Sequence, residues 1–400
     1  MKTITFTCET ITPMFLSGAD GSTPELRPPS IKGALRFWWR AMNGHLATTG
    51  IPNLLKEDER LFGGANEGGK SSVLVRVFDR KEKFIDCPIL KSYVGHNPND
   101  RNKPYEKVGL AYLYYVLLNQ KCQGLEGFDV ETTFKVSLES KSLEDLRKGV
   151  ASFWLFVHLG GLGSRARRGA GCIQVTDIVD EEDCLLDEEK KPIISFLPDE
   201  ANGIVSFYTE NYKKCIGILQ KPNTPEGYSK DNDKYSTLTS SEIYISSDFP
   251  SWQKALDNIG FEMKKLRDFF SAENRKFKLK DIPKKAAFGL PIRIRDVRAN
   301  PQKGIMSFEG YYVDLESSPR RASPLIISIF KQGKKNEEAK YYWVLTYLDG
   351  VYTDAENAIT IRNSEDKIHS KNGKEFKWQD ADHSLVKTFI NKLSKTRITL

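Results

Sequence analysis

The sequence predicts an α+β protein of two ferredoxin-like (RRM-like) units in tandem, the second looser and with insertions. Three observations predict it. Short alternating stretches and two amphipathic segments follow one another as strand, helix, strand, strand, helix, strand before residue 198. A less regular version of that order begins again near residue 242. The 400 residues also exceed what one average core encloses.

Lys2 to Thr12 alternates Ile4, Phe6 and Cys8 with Thr3, Thr5 and Thr7, as a half-buried strand does. Met14 to Arg27 is a loop. Ser30, after Pro28-Pro29, reads as the N-cap of a helix that buries Ile31, Leu35, Trp38 and Met42. The same helix carries Lys32, Arg36 and Arg40 at four-residue spacing, a basic stripe with no interleaved acid. Leu54 to Phe62 is a short helix and Val73 to Phe78 a strand. Between them Gly64 to Ser71 spells G-x-x-x-x-G-K-S, yet a phosphate-binding loop needs a strand before it and a helix after it. The reverse order predicts a turn. Lys81 to Pro104 is polar and loop-rich, Val108 to Leu118 is strand or helix, and Val130 to Leu138 is a strand. Ser142 caps a second strong helix, with Asp145 completing an approximate capping box and Leu146, Val150, Phe153 and Val157 facing inward.

That helix leads into Gly160 to Gly171, GGLGSRARRGAG, and then a strand over Ile173 to Val179. Glycine brings backbone N–H groups close to a ligand, and arginine forks match phosphate oxygens. Gly161, Gly163, Arg165, Arg167, Arg168 and Gly169 therefore read as an exposed loop that grips a phosphate chain and contributes little to either core. Acidic residues crowd Asp177 to Glu189, and the composition shifts near Pro198, which divides the chain into units 1–197 and 198–400. Residues 222–234 are a polar loop. A strand at Glu242 to Ile245, a helix over Trp252 to Phe270, strands at Leu325 to Phe330 and Tyr341 to Leu348, a helix at Ser384 to Leu393 and a last strand at Thr396 to Leu400 complete the second unit.

The net charge of +7 makes a polyanionic partner plausible. No apolar run reaches membrane-spanning length and the start lacks a signal peptide's apolar segment, so a cytoplasmic protein with no membrane partner is expected. Six scattered cysteines without a C-x-x-C pair predict reduced thiols, and neither a metal nor a cofactor.

Three strings carry a resemblance: Arg27 to Arg40 (RPPSIKGALRFWWR), Gly160 to Gly171, and Arg320 to Leu325 (RRASPL). With the predicted units they resemble the RAMP superfamily of CRISPR proteins, and within it the first-subunit family of the Cmr (type III-B) effector complex. The resemblance implies a non-catalytic RNA-binding subunit, contacting guide RNA near its 3′ region and target RNA, beside other subunits of the complex. Its RNA-binding residues would be Lys32, Arg36, Arg40, Gly161, Gly163, Arg165, Arg167, Arg168, Gly169, Arg320 and Arg321. Of the aromatic run Phe37-Trp38-Trp39, at least two members belong to the core at helical spacing. The alternative is a metal-independent RAMP-type endoribonuclease that processes guide RNA with a histidine acid or base. His45 and His158 are its candidates, without an evident catalytic partner nearby.

Overall fold

The computed structural model describes residues 1–49, 51–64, 69–95, 105–118, 126–198, 203–220, 237–238, 241–272, 282–289, 292–294, 311–315, 322–333, 338–348, 359–362, 370–371, 374–375, 377–378 and 383–398. The first half runs β1 (Lys2–Thr10), α1 (Pro28–Met42), a 3-10 turn (Gly44–Thr49), α2 (Ile51–Phe62), β2 (Leu74–Lys81), β3 (Phe84–Asp86), α3 (Cys87–Tyr93), α4 (Val108–Leu113), α5 (Tyr115–Leu118), β4 (Glu126–Phe128), β5 (Thr133–Ser140), α6 (Leu143–Leu159) and β6 (Ile173–Val179). Four strands make one antiparallel sheet in the order β2-β5-β1-β6. Pairing of Phe6 with Val136 and Cys8 with Phe134 sets one apolar face, which α1 and α6 cover.

α1 begins two residues before Ser30. Pro28 and Pro29 occupy its first turn, where a missing N–H costs nothing, and Arg27 is the N-cap without a side-chain bond. At α6 the cap is as read: Ser142 Oγ accepts the Asp145 N–H at 3.2 Å. The string Gly64 to Ser71 joins α2 to β2, helix before and strand after, with the Gly64 N–H donating to the Gly69 carbonyl. The stretch read as loop-rich from Lys81 holds β3 and α3, the latter capped by the Asp86 carboxylate on the Ile89 N–H. Val108 to Leu118 resolves to helices. Cys87 is disulfide-bonded, contrary to the expectation of six reduced thiols, whereas Cys8, Cys172, Cys184 and Cys215 are free.

The second half runs α7 (Ile204–Leu219), β7 (Glu242–Ile245), α8 (Trp252–Ala272), α9 (Ile282–Ala286), β8 (Ile292–Ile294), β9 (Tyr311–Leu315), β10 (Leu325–Gln332), β11 (Lys340–Tyr347), β12 (Ile359–Arg362), β13 (Ser370–Lys371), β14 (Lys374–Glu375), β15 (Lys377–Trp378), α10 (Ser384–Lys392) and β16 (Thr396–Arg397). Its main sheet, β10-β11-β7-β16, is antiparallel throughout. The remaining strands form a sheet β15-β12-β9-β8 and the small pairs β13-β14 and β3-β4. Residues 222–234 lie outside the described residues.

The two halves share their interior. Ile326, Phe330, Tyr342 and Val344 join the core of the first half, whereas Leu325, Ile327, Trp343 and Leu345 pack with α8. α6 consequently lies between two sheets, and fourteen of its seventeen residues are buried. Each half also lends a helix to the other. α7 puts Phe207, Tyr208 and Tyr212 into the first core. α4 crosses α8 where Gly109 and Gly260 face each other; a Cβ on Gly260 would lie 2.3 Å from the Gly109 carbonyl oxygen. The Asp257 carboxylate of α8 caps α4, accepting the Gly109 and Leu110 N–H groups at 2.8 and 3.2 Å.

Candidate nucleic-acid interface

The stripe on α1 does not stand free of acids. Asp58, fully buried on α2, receives Arg36 through Nη2 at 2.7 Å and Nε at 3.2 and 3.0 Å, and Arg36 Nη1 donates to the Gly63 carbonyl at 3.0 Å. This fork fixes α1 to the end of α2. Arg40 reaches the same carboxylate at only 3.9 Å and keeps a half-exposed guanidinium. Lys32 Nζ lies 3.3 Å from Ser71 Oγ, and its pKa is lowered by partial burial and then by the Arg36 charge. A cation held that way gains from a nearby anion. A pattern read along one helix does not reveal Asp58, which lies on another. The signal was present, since Asp58 falls between Leu54 and Leu61 on the inward face of α2.

Trp38 and Trp39 are core residues, and Phe37 is half-buried beneath the Arg167 guanidinium, whose carbon sits 5.0 Å from the ring centroid. This contact ties α1 to the glycine loop.

The loop itself is not the exposed tip that the sequence suggests. Among Gly160 to Gly171 only Ser164 is exposed. Arg167 Nη1 donates to the Ser323 carbonyl at 2.7 Å, and its own carbonyl accepts the Ile327 N–H at 3.2 Å. Arg168 donates to the Leu325 and Phe288 carbonyls at 3.4 and 3.1 Å. Two of the three arginines therefore clamp the second half, and Arg168 forms a parallel bridge with Ile327. Of the glycines, Gly169 serves that seam, and Gly161 and Gly163 fold the loop against the first half. A Cβ on Gly169 would meet Leu256 at 2.3 Å, on Gly163 the Phe15 carbonyl at 2.3 Å, and on Gly161 the Ala170 carbonyl at 2.6 Å. Backbone N–H groups of Leu162, Ser164, Ala166, Arg168, Ala170 and Gly171 bond within the chain. Arg165 holds a left-handed φ of 62° within the loop. Arg320 and Arg321 lie outside the described residues.

Both candidate histidines are buried. His158 stacks among Trp154, Phe196, Phe207, Tyr208 and Phe330, and burial pulls its pKa down to about 3. Among the described residues no group of His, Cys, Asp or Glu is placed to hold a metal ion, and no helix is long and apolar enough to cross a membrane.

The RAMP superfamily model matches residues 7–174. CRISPR system Cmr subunit Cmr1-2 of Pyrococcus furiosus is 32% identical over 187 residues, which are 42% of this chain and 93% of that protein. Cmr1-1 of the same organism is 26% identical over 315 residues, 78% of each chain. The fold is similar to the crystal structure of apo Cmr1 from Pyrococcus furiosus, with a TM-score of 0.60, 18% identity and coverage of 100% of this chain and 99% of that one. It is also similar to a chain in a cryo-EM structure of the type III-B Cmr-beta bound to cognate target RNA, with a TM-score of 0.52, 13% identity and 98% coverage of both.

Proposed function

Because the chain belongs to the Cmr1 family of the RAMP superfamily, we propose that it is a non-catalytic RNA-binding subunit of a type III-B CRISPR effector complex. It contacts guide RNA near its 3′ region and target RNA, beside the other subunits. In this reading the chain is two ferredoxin-like units, 1–197 and 198–400. The matching strand orders β2-β5-β1-β6 and β10-β11-β7-β16 support the pairing, with α4 and α7 exchanged across the boundary.

The observation that carries the reading is the α1 surface, where Lys32 and Arg40 stand on a helix with no acidic residue and Phe37 joins it to Arg167 of the glycine loop. Cations tracking a backbone bind RNA of any sequence. Within the set Lys32, Arg36, Arg40, Gly161, Gly163, Arg165, Arg167, Arg168, Gly169, Arg320 and Arg321, we assign direct phosphate contact to Lys32, Arg40 and Arg165. Arg36, Arg167, Arg168 and the glycines hold that surface in shape. The buried positions of His45 and His158 disfavour the nuclease alternative, since a general acid or base must reach the scissile bond. RNA crosslinked within the intact effector complex should be recovered on peptides spanning Pro28–Met42 and Gly160–Gly171. Crosslinks confined to other peptides would overturn the proposal.

A further inference from the structure

We propose that Gly33 marks where the sugar-phosphate backbone of the RNA crosses α1, at van der Waals distance from the helix backbone. The inference rests on the RNA-binding reading and adds a contact residue to it. Gly33 lies well inside α1, where glycine is less favourable than alanine. Nothing among the described residues accounts for it. Its φ is not left-handed, and a Cβ built there finds no atom within 4 Å. The contrast with other helix glycines is informative. A Cβ on Gly149 of α6 would meet Val73 at 3.0 Å, and one on Gly260 of α8 would strike the α4 backbone, so both admit a neighbouring element. Gly33 admits nothing among the described residues.

Its surroundings select the ligand. Helical spacing places Pro29, Gly33 and Phe37 along one stripe, beside the row of Lys32, Arg36 and Arg40. The stripe has no bulky side chain between Pro29 and Phe37, and Phe37 carries the Arg167 guanidinium. A gap flanked by cations, on a helix without acids, complements a polyanion whose sugars need close approach. Gly217 of α7 also has open space around it, but it sits in the last turn of another helix and serves as the control.

The test measures thermal melting and anisotropy of a fluorescein-labelled single-stranded RNA for the full chain. Gly33→Ala should melt about 2 °C higher while binding about threefold more weakly. Gly33→Leu should lose about tenfold or more in affinity, with an unchanged slope against log salt because no charge is altered. Gly217→Ala should change melting alone. Wild-type affinity in both Gly33 variants would overturn the inference; if leucine disturbs the helix, Gly33→Ala alone decides. Lys32→Ala/Arg40→Ala separates the two claims. Weaker binding in that variant with full binding in the Gly33 variants would sink the inference and leave the reading standing. Full binding by Lys32→Ala/Arg40→Ala would sink the reading itself.

Discussion

The α1 stripe and the glycine loop look alike as sequence: arginines at close spacing with no acid among them. In the fold they differ. The loop meets the second half of the molecule, and Arg167 and Arg168 donate to its carbonyls. The stripe meets one buried carboxylate, which takes Arg36 and leaves Lys32 and Arg40 at the surface. A local excess of charge therefore does not identify a ligand site, because carbonyls and distant acids also receive guanidinium groups. What separates the two regions is how much of each arginine fork the chain itself fills.

The largest expected effect breaks the loop that carries the seam. Gly171 has a φ of +66°, and a Cβ there would lie 1.9 Å from the Leu162 carbonyl oxygen. Gly171→Val should cost more than about 4 kcal/mol, the range that a backbone clash at a special conformation produces. Loss of soluble, cooperatively melting protein is the expected observation. Next comes Arg167→Ala/Arg168→Ala. Removing the two short donated bonds, to the Ser323 and Phe288 carbonyls, at about 1.5 kcal/mol or more each, should destabilise the protein by about 3 kcal/mol or more, with the longer bond to Leu325 adding little. A denaturant titration that gave an unchanged midpoint would show the clamp to be idle, and the two regions would then be alike after all.

Acid should weaken the seam as well. The His158 carbonyl accepts Ser328 Oγ at 3.1 Å and Tyr208 Oη at 3.3 Å, so its helix end is fixed to β10 and α7 while its ring stays neutral in the core. The folded pKa of about 3 lies below the unfolded value near 6.5, so the unfolded chain binds the proton first. Stability from this residue is complete above pH 6.5 and falls as pH drops toward 3. By pH 5 the loss should reach about 2 kcal/mol. His158→Phe should flatten that part of the stability profile. An unaltered profile would place the acid sensitivity elsewhere.

Much of this architecture was legible in the residues. The alternation of Ile4, Phe6 and Cys8, the Ser142 cap and the stripes of α1 and α6 are local signals, and local physics decides them. The order of helix before and strand after Gly64 to Ser71 was legible from periodicity, and a phosphate loop demands the reverse; residues 65–68 of that string lie outside the described residues. Other features depended on long-range partners. The Pro pair outranked the hydroxyl of Ser30 as a start signal. Asp58 was hidden from a reading along α1, and the burial of the glycine loop requires Leu256, Ser323 and Phe288, which no spacing near residue 165 announces.

The smallest expected effect divides the loop from within. Arg165 lies beside the clamp yet at a left-handed φ of 62°, a conformation that costs a non-glycine residue about 1–2 kcal/mol. Arg165→Gly relieves that strain and loosens the unfolded chain by a comparable amount, so stability should change by no more than about 1 kcal/mol. If Arg165 neutralises one phosphate, the slope of log affinity against log salt should fall by about 0.7 for a single strand. The loss should be the same for every RNA sequence, because a phosphate contact positions the strand without reading it. Arg167→Ala/Arg168→Ala should do the opposite, moving stability far more than it moves the slope of the protein that remains folded. Melting and salt titration of the two variants side by side resolve the matter. A large melting shift in Arg165→Gly with an unchanged slope would make Arg165 a third member of the clamp, and direct RNA contact would then rest on α1.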